Sequence, residues 1–281
     1  MINVKYDEFS QVDFKYAFEI NKNFEVEKQV IDDLTIITVH DFFSDPDAVI
    51  EALKKFPVQN KDRFFEELQQ SEDPNQFMIK PPGEQQIIPN SYLEGVSFIL
   101  YKLLVDYDFV EKDYWAAQDM NGLSNQLAQF SYYTNIFRPN MKNWHNNFMP
   151  RFDQSMFGFN VYLSEEEIGG GTSFYNLKFK DEKYPSVVSL SEVTELEDRV
   201  ELSKLLNSLQ QVDDLSPETY ISIPDNHHVF ERYHTAPFKF NTLTAYKGAF
   251  WHNADYDAST EKNLRYSLAC SYTPAEDQDY E

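Results

Sequence analysis

The stretch LRYSLACSY, residues 264–272, alternates between two kinds of side chain and indicates a core β-strand. Because side chains of a strand point alternately to its two faces, one face carries Leu264, Tyr266, Leu268, Cys270 and Tyr272. The other face carries Arg265, Ser267, Ala269 and Ser271. An arginine beside a serine, among small residues, leaves room for a small anionic ligand. Arginine offers a carboxylate two parallel donors, and serine adds another hydrogen bond.

Aromatic-rich alternating segments are frequent from about residue 128 onward. They include AQFSYYTNIF (128–137), SMFGFNVYLS (155–164), GTSFYNLKF (171–179) and FNTLTAYKGAF (240–250). Strands at this density, with turn signals between them, predict a β-sandwich or jelly roll. The glycines 169–171 indicate a tight turn between strands rather than a binding loop.

A helical segment interrupts these strands at residues 191–212. Its predicted apolar stripe is Leu196, Val200, Leu205 and Leu209, and Thr194 with Glu197 would form a capping box. We expect this acidic insertion, within about 180–225, to cover or flank the mouth of the β core.

The N-terminal part predicts a supporting region of mixed structure. Residues 1–33 suggest an arm or edge strand, and LTIITVH (34–40) is rich in β-branched residues, as strands are. In DFFSDPDAVIEALKKF (41–56), Asp45 can cap a helix that has Pro46 at its first position. SYLEGVSFILYKLL (91–104) predicts a second helix, with a capping box of Ser91 and Glu94. The predicted domains are therefore an α+β support at 1–127 and a β core at 128–281.

Composition limits the classes of function. The 281 residues carry 47 acidic against 24 basic side chains, a net charge of −23. Such a surface repels phosphate backbones and anionic membranes, so nucleic acid and membrane partners are not expected. The one cysteine, Cys270, allows no internal disulfide or CxxC metal cluster and is expected to be a small core residue. The N-terminus shows no signal-peptide pattern, and we expect a cytoplasmic protein, or a virion-associated one if its gene is of phage origin.

Six histidines are candidate metal ligands or bases: His40, His145, His227, His228, His234 and His252. His227 and His228 lie in a predicted loop, PDNHHVF (224–230), and are expected to be structural. His145 follows the turn-forming RPNMKN (138–143), and His252 ends a predicted strand in FWHNA (250–254). Arg265 follows His252 by 13 residues.

These motifs give residues 128–273 a resemblance to the Fe(II)- and 2-oxoglutarate-dependent dioxygenases, in particular the prolyl-hydroxylase-like branch. That family has His-x-Asp, a strand ending in Tyr-Leu, a GG-x-T-x-F turn, a distal His and Arg-x-Ser. In the same order this sequence has WHNN (144–147), NVYLSEE (160–166), GGGTSFY (169–175), FWHNA and RYS (265–267). The resemblance implies a mainly β double-stranded β-helix, or cupin-like jelly roll, with flanking helices.

The resemblance also implies a ligand set and a chemistry. His145 and His252 would hold Fe(II) together with position 147, while Arg265 and Ser267 would bind the far carboxylate of 2-oxoglutarate. Tyr133, on the strand entering the site, could donate to the same cosubstrate. The activity implied is hydroxylation of an unidentified substrate, and the acidic surface favours a basic protein or an amine as that substrate.

Asn147 departs from the family pattern, which has aspartate there. An amide oxygen is neutral and a weaker ligand, so metal affinity should fall. The nearest replacement carboxylates in sequence are Asp153, Asp255 and Asp257, which we expect to be solvated loop acids.

Three interpretations remain open. The chain is an active dioxygenase, or a pseudoenzyme of the same fold that serves as a binding or structural component, for example in a phage virion. The third is a cupin-like sugar or small-acid binder that uses the Arg265 face without iron.

Overall fold

The computed structural model describes residues 16–58, 84–109, 129–139, 142–143, 150–153, 155–164, 170–193, 195–210, 218–219, 223, 227–257 and 262–273. The strands are β1 Glu25–Ile31, β2 Leu34–His40, β3 Glu84–Ile88, β4 Phe130–Phe137, β5 Lys142–Asn143, β6 Phe157–Tyr162, β7 Gly171–Phe179, β8 Glu182–Tyr184, β9 Glu218–Thr219, β10 Phe230–Pro237, β11 Thr242–Lys247, β12 His252–Asp255 and β13 Arg265–Tyr272. The α-helices are α1 Pro46–Leu53, α2 Glu94–Asp106 and α3 Leu196–Gln210.

Two antiparallel sheets contain most of the strands. The larger has seven strands in the order β1-β2-β11-β6-β13-β4-β3, and the smaller has the order β10-β7-β12, with β8 paired to β7. Arg151 forms an isolated antiparallel bridge with His252 and so extends the smaller sheet beyond β12. From β4 to β13 the chain crosses repeatedly between the two sheets, and this order is that of a double-stranded β-helix. The predicted fold class is confirmed.

The apolar face of β13 lies in the main core, as its alternation predicts, except that Leu264 precedes the strand and is 40% exposed. Tyr266, Leu268, Cys270 and Tyr272 pack there with α1 and α2. Cys270 is a buried free thiol, and burial raises its pKa well above the ordinary value, so it behaves as a small core residue. Arg265 and Ser267, on the opposite face, are both buried between the sheets.

The N-terminal strands extend the core sheet. β1 pairs with β2 at its edge, and β2 pairs with β11. The predicted cap of α1 is confirmed, because Asp45 Oδ1 accepts a hydrogen bond from the Ala48 amide at 3.0 Å.

Two details predicted for the helices are wrong. A short 3₁₀ turn at Asn90–Tyr92 precedes α2, so Leu93 is the N-cap and no Ser91–Glu94 capping box forms. In α3 the predicted stripe faces outward at two positions, since Leu196 is 75% and Val200 is 48% exposed. Leu202 is buried instead, in a cluster with Tyr175, Leu177 and Trp251, and Leu205 of the predicted stripe packs against that cluster. Thr194 lies outside the described residues.

No helix of the described residues is long and apolar enough to cross a membrane.

Asn241 joins the N-terminal support to the β core. Its side-chain oxygen accepts from the Phe43 amide at 2.9 Å, and its Nδ2 donates to the Phe43 carbonyl at 2.9 Å. Asn241 is buried and has a φ of 52°, a left-handed conformation that asparagine tolerates.

Replacing Asn241 with alanine should therefore lower the free energy of unfolding by about 2–4 kcal/mol, because two buried backbone groups lose their partners. Urea denaturation measures this. Asp41→Ala is the matched control: Asp41 is exposed and has a φ of 53°, so it reports the backbone effect alone. Equal losses for the two variants would contradict the bridging role.

Candidate active site

A small cavity of about 30 Å³ lies between the two sheets. It is lined by Asn135, Phe137, Arg151, Asn160, Thr172, Tyr246, His252, Ala254, Arg265 and Ser267. The larger sheet supplies residues of β4, β6, β11 and β13, and the smaller sheet supplies residues of β7 and β12. A volume of this size holds about two water molecules.

Arg265 anchors one end of the cavity. Its Nη1 donates to the Asp255 carbonyl at 3.1 Å, and its Nη2 donates to the Gly171 carbonyl at 2.7 Å. The guanidinium carbon lies 5.2–5.9 Å from the ring centroids of Phe137, Tyr162 and Phe238. Carbonyl oxygens and aromatic faces both stabilise a buried cation. A positive charge is thereby fixed at the cavity wall.

The glycine turn places one of these carbonyls. Gly170 comes just before β7 and has a φ of 96°, and Gly171, the first residue of β7, has a φ of 153°. A Cβ on Gly171 would lie 1.8 Å from the Ala236 carbonyl oxygen, and one on Gly170 would lie 1.8 Å from the Asp255 carbonyl oxygen. Only glycine allows this close approach. Gly169 lies outside the described residues.

His252 lies on β12, facing the cavity. Its Nδ1 is 2.8 Å from the Phe250 carbonyl oxygen, and because that oxygen can only accept, Nδ1 carries a hydrogen. In the neutral ring the lone pair is then on Nε2. His252 is 2% exposed, and its Nε2 has no hydrogen-bond partner among the described residues. A histidine oriented by a backbone carbonyl through one nitrogen, with the other nitrogen open, is suited to bind a metal.

Asp153 is the acid nearest to this open nitrogen. Its Oδ2 is 3.2 Å from His252 Nε2, and its Oδ1 is 3.4 Å from Arg151 Nε. Burial raises the pKa of the Asp153 carboxyl, but the neighbouring His252 and Arg151 side chains lower it by more, so the net shift is downward.

The expectation that Asp153 and Asp255 are solvated loop acids is wrong. Asp153 is close to both His252 and Arg151. Asp255 is the last residue of β12, and its Oδ2 lies 2.7 Å from Arg232 Nη1. Asp257 is half-buried after that strand.

The structure brings together three of the sequence-predicted site residues, His252, Arg265 and Ser267. His145 and Asn147 lie outside the described residues. Tyr133 does not line the cavity, although Asp153 influences its phenol. Burial, followed by the negative charge of Asp153, raises the pKa of Tyr133 to about 12, so the phenol keeps its proton.

The other described histidines lie outside the cavity, and His227 has a structural role. His227 Nδ1 accepts from the Val229 and Phe230 amides, both at 3.2 Å, and burial lowers its pKa. This confirms a structural role for His227, and none of His40, His228 and His234 lines the cavity. No group of three or more His, Cys, Asp or Glu side chains suited to a metal occurs within the described parts of the chain.

The sequence reasoning missed Arg151, Asn135, Asn160, Thr172 and Tyr246 as cavity residues. Asn135 could have been found, because it shares a strand face with Tyr133. The others depend on which strands pair across the sandwich.

Comparisons with known proteins identify a family. A family model described as "Family of unknown function (DUF6445)" matches residues 22–265. A search of curated proteins finds no match.

Solved structures of low similarity are also found. HygX from Streptomyces hygroscopicus, with nickel, 2-oxoglutarate and hygromycin B bound, is 11% identical over 85% of this chain and 83% of its own, with a TM-score of 0.39. A Pseudomonas putida prolyl-4-hydroxylase is 11% identical over 82% of this chain and 100% of its own, with a TM-score of 0.32. Likenesses at these scores carry no argument about activity, so the fold assignment rests on the strand order.

Replacing Gly171 with alanine should lower the free energy of unfolding by about 2–4 kcal/mol, because backbone must move away from the new Cβ. Thermal or urea unfolding measures the loss. Gly95→Ala is the control: that glycine lies in α2, where an added Cβ would meet nothing within 4 Å. It should gain about 0.5–1 kcal/mol. A Gly171→Ala protein as stable as the control would contradict the close packing of the turn.

Proposed function

The chain belongs to DUF6445, a family of unknown function, and we propose that it is an Fe(II)- and 2-oxoglutarate-dependent oxygenase that hydroxylates an unidentified substrate. One observation carries the proposal. His252, with Nδ1 anchored and Nε2 open, shares a cavity with the arginine and serine of an Arg-x-Ser strand.

The residues of the cavity divide into two functions. His252 Nε2 would hold the metal, with His145 and Asn147 as the further ligands predicted from sequence. Arg265 would pair with the far carboxylate of 2-oxoglutarate, and the neighbouring Ser267 hydroxyl would donate to the same group. Bound iron, 2-oxoglutarate and oxygen supply oxidative decarboxylation to succinate, coupled to hydroxylation of a C–H bond.

Polar groups beside this site can orient a ligand. Asn160 Nδ2 donates to the Tyr246 hydroxyl at 3.2 Å, and the Tyr246 ring packs edge-on against His252 with centroids 4.9 Å apart. Burial and then the charge of Asp153 raise the pKa of Tyr246 well above its ordinary value, so this phenol stays neutral. The acidic surface favours a cationic substrate, either a basic protein or an amine.

A second candidate function is metal-free binding of a small acid. Arg151 lines the same cavity and lies 3.4 Å from Asp153, so a resident cation already partly balances that carboxylate. This favours a binding module of the oxygenase fold, in which Arg265 and Ser267 hold a carboxylate without iron.

Anaerobic titration with Fe(II) and 2-oxoglutarate separates the two functions. The oxygenase should develop the weak visible charge-transfer band of the chelate, and admitting oxygen should yield succinate. A metal-free binder should bind 2-oxoglutarate equally with and without Fe(II) in calorimetry. Absence of both the band and succinate would overturn the oxygenase proposal.

Ser267→Ala should weaken 2-oxoglutarate binding by about 5- to 10-fold, through loss of one hydrogen bond to a charged group. Ser271→Ala is the matched control, since Ser271 lies on the same face of β13 but outside the cavity lining. Calorimetric titration measures both. If the two variants bind 2-oxoglutarate alike, Ser267 does not contact the ligand.

A further inference from the structure

We propose that Asp153 supplies the anionic ligand of the metal position and that Arg151 occupies the place of the pattern's first histidine. The inference rests on the proposed function, since it assigns a ligand to that same site. It replaces the sequence-based prediction that His145 and Asn147 complete the ligand set.

The strand pairing supports this assignment. The Arg151 amide donates to the His252 carbonyl at 2.9 Å, and the His252 amide donates to the Arg151 carbonyl at 2.7 Å. The segment at 151–153 therefore lies beside β12, the strand that carries His252, and is hydrogen-bonded to it through the backbone. The Asp153 amide in turn donates to the Gly248 carbonyl at 2.8 Å, which fixes the position of its Cα.

The spacing along the chain agrees. Arg151 and Asp153 are two residues apart, so extended backbone places both side chains on one face. The stretch Arg151-Phe152-Asp153 thus has the spacing of a His-x-Asp motif, with arginine first. The next strand, β6, ends in Tyr162 and is followed by Leu163. In the dioxygenase pattern, too, a strand ending in Tyr-Leu follows the His-x-Asp motif.

The contact between Asp153 and His252 suits a shared cation. Two bonds of about 2.0–2.2 Å to one divalent metal separate a histidine nitrogen and a carboxylate oxygen by roughly 3.0–3.4 Å at octahedral to tetrahedral angles. The observed separation of Oδ2 and Nε2 is 3.2 Å. In the Nδ1–H tautomer both of these atoms present lone pairs, so a cation between them relieves the repulsion of two acceptors.

Arg151 orients the carboxylate and lowers the site's affinity for metal. Its Nε faces Oδ1, which leaves Oδ2 directed at His252. A guanidinium near the metal position also repels a divalent cation. Arg151→His would remove that charge and add a nitrogen ligand.

Cobalt(II) alone is a suitable probe, because its affinity is measured by calorimetry and its ligands affect its absorption spectrum. On the full chain, Asp153→Asn should weaken Co(II) binding by more than about 10-fold, and Arg151→His should tighten it. If Asp153 rather than position 147 is the ligand, Asn147→Ala should bind Co(II) as the wild type does, and weaker binding would overturn the assignment. Glu231→Gln, which removes an exposed acid paired with Lys183 outside the cavity, controls for loss of one negative charge.

Cysteine substitution gives a direct spectroscopic readout. Asp153→Cys should add a near-ultraviolet thiolate-to-Co(II) charge-transfer band, and Asn147→Cys should not. The wild-type chain gives no such background, since its one cysteine, Cys270, is buried on the opposite face of β13. Circular dichroism of each variant reports whether it is folded.

The outcomes separate the two proposals. If His252→Ala loses Co(II) while Asp153→Asn keeps wild-type affinity, the metal site stands and the role of Asp153 is overturned. A thiolate band from Asn147→Cys but not from Asp153→Cys overturns it as well. If the wild-type chain binds no Co(II), the Asp153–His252 contact is an ordinary ion pair, and both proposals fail.

Discussion

The Arg265 guanidinium is the interaction on which the site depends, because it ties the two sheets together. Arg265 starts β13, an interior strand of the larger sheet, and its donors reach carbonyls of Asp255 and Gly171 in the smaller sheet. A buried charge is tolerated only where hydrogen bonds replace its hydration. The two carbonyls and three rings around it therefore fix how far apart the sheets stand, and with that the width of the cavity.

The same side chain is the proposed partner of the cosubstrate carboxylate, so the proposed function and stability would be coupled at this position. Changing Arg265 removes the tie between the sheets as well as the charge offered to a carboxylate, so such a variant cannot distinguish the two roles. Ser267 is separable, because it lines the cavity without taking part in that tie. His252 is also held from outside the cavity, by its own Nδ1 bond and by backbone pairing with Arg151.

Alternation along single strands predicted most of the fold, because strands such as β4 and β13 have one face in an apolar core. β13 shows this from Tyr266 to Tyr272, whereas Leu264, just before the strand, is 40% exposed. The errors came from longer-range packing. Leu93 replaced Ser91 as the cap of α2 because a 3₁₀ turn intervenes, and α3 turned Leu202 toward the smaller sheet. The sequence suggests a loop acid at Asp153 because no local pattern shows that its segment pairs beside His252. Strand partners about a hundred residues apart are set by topology, which a single sequence does not encode locally.

The charges at the cavity differ in sign from those of the whole chain. Among the described residues, Arg151 and Arg265 line the cavity and no carboxylate does, although Asp153 lies beside Arg151, whereas the chain as a whole carries −23. The long-range field thus repels an anionic ligand, and only short-range contacts at the cavity favour it. Because salt screens the distant surface charges more than the buried guanidinium, the proposed site would gain selectivity for a small acid that can enter fully. Under the proposed function, a larger anion would remain repelled by the surface charge and a cationic substrate would be attracted to it, so cosubstrate and substrate would be distinguished by charge.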